Sequence, residues 1–212
     1  VPSALRECKL WNGRPGTHHF PTTSQDPLYM RRVRLFIAPL LAVLASASAN
    51  ASPAPSPHDA IADAVNHYRT SKGLAPLPLS TSLTRVARAH LADLEANYRR
   101  GGRCNMHSWS SRGNWSSCCY TPDHAEASCM WEKPNEISGG LYQSPGYEIV
   151  AHYSDPISPA MAIEIWRDSA AHNAMVLNRG MWADNTWRAM GAAIGRHYAV
   201  VWFGESPDPA GR

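Results

Sequence analysis

Four of the five cysteines, Cys104, Cys118, Cys119 and Cys129, fall within 26 residues of one another. A stretch tied together this way cannot fold as an open helix or a regular strand. Whether it is tied depends on the compartment, and residues 30–49 (MRRVRLFIAPLLAVLASASA) bear on that. Met30, Arg31, Arg32 and Arg34 form a positive start, Leu35 to Leu44 an apolar middle, and Ala47-Ser48-Ala49 a small-residue cleavage site. That is the pattern of a secretory signal peptide, too short for a membrane span. An even number of cysteines after an export signal implies disulfides. Adjacent residues fit disulfide geometry poorly, so the vicinal Cys118–Cys119 bond is the disfavoured one of three pairings. The other two both staple residues 104–129, at about 3 kcal/mol per closed loop in the chain-entropy description.

The first 29 residues carry no periodicity and read as an upstream extension, with Met30 as the expected start. Removing residues 1–49 leaves 14 basic and 15 acidic residues, so the formal charge of +3 for the whole chain belongs to the discarded part. No basic footprint for nucleic acid remains. No other apolar run approaches the ~18 residues of a membrane span. The expected product is secreted, to the periplasm or beyond, and monomeric.

Residues 50–57 (NASPAPSP) read as a Pro/Ser linker. Ser56-Pro57 is a cap-plus-proline start for a helix with Ile61, Ala64, Val65 and Tyr68 on one side and Gly73 at its end. Residues 74–79 form an extended connector. A second helix from Ser80 buries Leu83, Val86, Ala87, His90, Leu91 and Leu94 and stops at Gly101-Gly102. On that stripe His90 reads as a satisfied core histidine, while His58, His67 and His197 read as solvent-facing. Residues 103–147 read as irregular, held by the cysteines. Ser158-Pro159 starts a third helix on Met161, Ala162, Ile165 and Trp166, and Ser169 caps a fourth. Met190–Ile194 and Tyr198–Phe203 flank Gly195-Arg196-His197 as a β-hairpin. Residues 205–212 read as a flexible tail, and Trp166, Trp182, Trp187 and Trp202 as core. Helices first and a hairpin last indicate an α+β fold.

Three short elements carry candidate chemistry: His107-Ser108 after Cys104, Gly146-Tyr147-Glu148-Ile149, and Trp166 through His172. In order and spacing they resemble the CAP superfamily of cysteine-rich secretory, antigen 5 and pathogenesis-related class 1 proteins, in its short bacterial SCP-like branch. The first resembles the family's "HS" element. The second resembles "GENI", with Tyr147 in place of asparagine. The third resembles the bacterial "W-x-x-S-x-x-H". The resemblance covers residues 58–204. It implies an α-β-α sandwich, helices on both faces of a small antiparallel sheet, with a cleft lined by His107, Glu148 and His172 that can hold a divalent metal. A fourth, acidic member is missing: Ser169 stands at its usual place. Glu164 would lie about 80° round a continuous helix from His172, and Asp168 one turn before it.

Two imidazoles and a carboxylate suit zinc with water in a fourth position. Three functions follow as alternatives. The domain binds a lipid, a sterol-like molecule or another cell-surface ligand. It is a zinc-dependent hydrolase using His107, Glu148 and His172. Or it is an interaction domain with a vestigial site. Whether it is an enzyme is left open. A rival for the cysteines is a structural zinc site built with His107 or His124.

Overall fold

The computed structural model describes residues 56–211. The expected extension, signal peptide and all but the last two residues of the linker lie outside the described residues.

The first helix, α1 (Pro57–Ser71), starts where the Ser-Pro signal places it. Ser56 Oγ accepts from the Asp59 amide, and the Asp59 carboxylate accepts from the Ser56 amide. That reciprocal capping box satisfies two otherwise orphaned donors. The second helix, α2 (Thr81–Asn97), is capped by Ser80, whose hydroxyl accepts from the Leu83 amide. It ends at Asn97, before the two glycines expected to stop it. Within the stretch expected to be irregular lie two short helices, α3 (Ala127–Trp131) and α4 (Lys133–Ser138). Strand β1 (Gly146–His152) follows, then α5 (Pro159–Asp168) and α6 (Ala170–Val176), a 3₁₀ turn (Gly180–Trp182), β2 (Ala189–Ile194) and β3 (Tyr198–Gly204).

The three strands form one antiparallel sheet in the order β1-β3-β2. Alternation along β3 divides the core. Ala199, Val201 and Phe203 join α1, α5 and α6 on one face. Tyr198, Val200 and Trp202 join α2, α3 and the disulfide-bridged segment on the other. Every residue of β2 and β3 is buried, as a strand covered on both faces requires. The expected sandwich of helices on both faces of a small antiparallel sheet is therefore the observed one.

Helix α2 lies so close to β2 that Gly191 has no room for a side chain. A Cβ there would meet the Leu83 backbone carbon at 2.0 Å. Backbone cannot swing aside like a flexible side chain. Gly191→Ala is expected to cost about 3 kcal/mol, the upper part of the overpacking range. Denaturant unfolding measures it, and a loss under about 0.5 kcal/mol, the size of an ordinary surface substitution, would contradict this packing.

Three expectations need correction. The tail is tied down: Asp208 accepts from the Ser80 and Ser82 hydroxyls and the Ser82 amide, and the Ser206 carbonyl accepts from Tyr142. Trp166, Trp187 and Trp202 are core, but Trp182 is only half-buried at the edge of its cluster. His67 is exposed as expected, whereas His58 is half-buried and accepts from the Ile194 amide.

Candidate functional site

The disulfides are Cys104–Cys119 and Cys118–Cys129, one of the two pairings left open by the sequence. All four cysteines are consumed, which leaves no thiolate for the rival structural zinc site. The bridged segment folds on itself. Asn105 donates to the Tyr120 carbonyl, Trp109 and Cys118 exchange backbone hydrogen bonds, and Ser108 Oγ accepts from the Tyr120 amide. His107 is fixed within this turn, its amide held by the Asn105 side chain at 2.9 Å.

Glu148 lies on β1, opposite Trp202 of β3, and its side chain has no solvent exposure. One carboxylate oxygen, Oε2, meets His107 Nδ1 at 2.9 Å. The other, Oε1, meets His90 Nδ1 at 2.5 Å. Burial alone would raise the Glu148 pKa. The facing His90 charge and the hydrogen bonds from His107 and His90 outweigh it and hold the carboxyl below its usual range. An ionised carboxylate only accepts, so His107 donates through Nδ1–H, and Nε2 is the nitrogen not engaged with Glu148.

His172 sits in the first turn of α6. Its Nδ1 is fully buried and has no hydrogen-bond partner. Burial, and secondarily the charge of nearby His107, push its pKa down to about 4. The ring is neutral at pH 7. An unfolded imidazole titrates near 6.5, so below that pH the unfolded chain takes up a proton that the folded site refuses. Stability is thus expected to be full above pH 6.5 and to fall by about 2–3 kcal/mol as pH drops to 4. His172→Asn should lack that share of the acid sensitivity in thermal unfolding. Equal acid losses in both proteins would refute it.

The weaker acidic candidates do not join this group. As expected, a new helix starts after Ser169, whose ψ of 112° is extended, although its side chain makes no capping hydrogen bond; α5 and α6 are therefore not one continuous helix. Asp168 is exposed and pairs with Arg167 at 3.1 Å, and Glu164 is exposed on α5. Ser169 has no hydrogen bond to Glu148 or either histidine among those described. What the sequence reading missed is His90. It is buried as expected, but its partner is Glu148 rather than the apolar core.

A zinc site built on His107, Glu148 and His172 does not fit this arrangement, because both Glu148 oxygens already face imidazole nitrogens. Among the described residues no group of three or more His, Cys, Asp or Glu is placed to hold a metal ion. Two surface hollows of about 410 and 420 Å³ follow the bridged segment, and neither is lined by His107, Glu148 or His172.

Tyr147, next along β1, points to the opposite face. Its ring lies 6.0 Å from Trp131, 5.1 Å from Trp182 and 5.5 Å from Trp187. Trp131 is 38% exposed and Met181, beside Trp182, 74%.

Residues 62–201 match the family model for CAP, the cysteine-rich secretory protein family. The chain belongs to this family. Among solved structures, a cysteine-rich secretory protein from Staphylococcus aureus is similar at 16% identity and a TM-score of 0.47, over 72% of this CAP chain and 39% of that one. An extracellular SCP-domain protein from Bacillus anthracis is similar at 16% identity and a TM-score of 0.47, over 70% and 40%. An outer surface protein from Borrelia burgdorferi is similar at 16% identity and a TM-score of 0.44, over 68% and 89%. This chain thus spans about two fifths of the Staphylococcus and Bacillus proteins. A search of curated proteins returns no match. No helix among the described residues is long and apolar enough to cross a membrane.

Proposed function

We propose that this CAP domain is an exported binding module for a lipid, sterol-like molecule or other cell-surface ligand that presents a hydroxyl or similar donor. One observation carries the reading. The site offers an accessible acceptor nitrogen, His107 Nε2, on a partly exposed ring, but its carboxylate is fully engaged and cannot at once hold a metal or take a proton from water. A metal-dependent hydrolase needs both functions. Export is supported by four oxidised cysteines and by the signal-peptide pattern at residues 30–49.

The test uses protein purified from its own host. Organic extraction and mass spectrometry should recover a bound lipid, and adding it back should shift the His172 ring resonances. His107→Ala alone should abolish that shift, and His107→Ala with His172→Ala should retain no lipid on extraction. Protein that carries no ligand, and shows no shift with host lipid extracts, overturns the reading. Zinc serves as the contrasting arm. A zinc-induced rise in melting temperature that the double variant loses would favour the hydrolase instead, since a ligand of the folded state stabilises by mass action.

A further inference from the structure

We propose that His90 is the positioning residue of this site: held as a doubly protonated ring between Ser108 and Glu148, it fixes the carboxylate and thereby the tautomer of His107. The inference deepens the acceptor site proposed above, although its test needs no ligand.

The argument is a count of hydrogens. His90 Nε2 lies 3.0 Å from the Ser108 carbonyl, which can only accept, so Nε2 carries a hydrogen. Nδ1 lies 2.5 Å from Glu148 Oε1, and His107 Nδ1 lies 2.9 Å from Oε2. Each contact needs one hydrogen between its heavy atoms. The three contacts require three, whereas two neutral imidazoles and a carboxylate hold two. One further proton therefore sits in the buried trio. Glu148 Oε2 already accepts from a second ring nitrogen and the His90 ring lies stacked on Trp109, so the proton is assigned to His90, and the pair is an imidazolium against a carboxylate with no net charge.

The surroundings suit that assignment. The His90 ring stacks on Trp109 at 4.4 Å between centroids and 11° between planes, where an aromatic face receives positive charge well. The other charged group on that indole is Lys133, whose Nζ lies 5.3 Å from its centroid and pairs with Glu136. Tyr120 lies close enough to Glu148 that the carboxylate, after burial, raises its pKa, which keeps the phenol neutral.

His90 thus holds His107 from two directions. Through Nε2 it grips the carbonyl of Ser108, the residue following His107. Through Nδ1 it keeps Glu148 ionised and in place, so Glu148 accepts from His107 Nδ1–H and Nε2 stays bare. Without His90, a buried carboxyl would take up a proton, become able to donate to His107 Nδ1, and let the ring carry its hydrogen on Nε2 instead.

Long-range proton–nitrogen correlation spectra of the histidine rings, recorded at pH 7 without ligand, test this. In the wild-type chain His90 should show two protonated nitrogens, and His107 a protonated Nδ1 with a bare Nε2. Glu148→Gln supplies one donor and one acceptor and satisfies both contacts with neutral rings. There His90 should lose the hydrogen on Nδ1 while His107 keeps its tautomer. In His90→Gln the His107 signals should move toward the Nε2–H form. If His90→Gln does not fold, the wild type and Glu148→Gln decide alone. A wild-type His90 with one bare nitrogen, or a His107 already protonated on Nε2, overturns the proposal. Neither outcome depends on whether a ligand exists, so loss of the binding reading would leave this result standing.

Discussion

Glu148→Ala is expected to destabilise the domain by about 3–5 kcal/mol, the loss seen when one partner of a buried ion pair is removed. The truncation leaves His90, which has no solvent exposure, with its Nδ1 facing a cavity. The His107 ring loses its hydrogen-bond partner at the same time. A small domain has about 5–15 kcal/mol in all, so the variant should unfold at a much lower denaturant midpoint, with an unchanged slope if folding stays two-state. Glu148→Gln is the informative contrast. It fills the same volume and offers a donor and an acceptor, so its loss should be nearer 1 kcal/mol, that of an altered hydrogen bond. If alanine and glutamine cost the same, the carboxylate acts by packing volume and the ion-pair account fails. If alanine costs less than about 1 kcal/mol, the contacts of Glu148 with both histidines are not formed in solution.

The elements legible in the sequence are those whose signals are local. Ser56-Pro57, Ser80 and Ser158-Pro159 each start a helix, because a hydroxyl three residues ahead of an orphaned amide is sufficient cause. The β2–β3 hairpin was legible from two β-prone runs around Gly195. Helices α3 and α4 were not, because five or six residues are too few to show a 3.6-residue period. The break at Ser169 was legible too, because a serine ahead of His172 reads as the start of a new helix; its side chain makes no capping bond, so the break rests on the extended backbone there. His107, Glu148 and His172 came from short motifs. The structure joins His107 to Glu148 directly, and His172 to them only through the influence of His107 on its titration. His90 was legible as buried but not as part of the site. It lies 58 residues from Glu148 on a stripe of leucine, valine and alanine, where the period gives burial and says nothing of the partner. The one available signal was chemical: a fully buried imidazole needs partners for two nitrogens, and an apolar stripe supplies none. The anchored tail has the same origin, since Asp208 reaches Ser80 and Ser82 across more than 120 residues.

Removing the Cys104–Cys119 bond should do more to the site than to the fold, even though its stability loss is expected to be large. The chain separations are 15 residues for Cys104–Cys119 and 11 for Cys118–Cys129. Loop-closure entropy grows only with the logarithm of length, so each is worth about 3 kcal/mol, within the 2–5 kcal/mol lost when small exported domains lose a native bridge. The two loops differ in content. Cys104–Cys119 encloses His107, Ser108 and Trp109, the turn that meets Glu148 and stacks on His90. Cys118–Cys129 closes over Tyr120 and leads into α3. Cys104→Ala with Cys119→Ala should therefore lower stability by about 3 kcal/mol and also loosen His107 from Glu148. Cys118→Ala with Cys129→Ala should show a similar thermal loss with the His107 ring signals largely retained. Thermal unfolding and histidine ring spectra on the two double variants separate these effects. Identical spectra would mean that the turn is held by its backbone bonds to Tyr120 and Cys118 alone, and that the covalent link secures the fold without shaping the site. Full reduction should combine both losses to about 6 kcal/mol, comparable with the entire stability of a small domain. An acceptor site assembled on a bridged turn is then competent only where cysteines stay oxidised, which ties the proposed binding activity to an oxidising compartment.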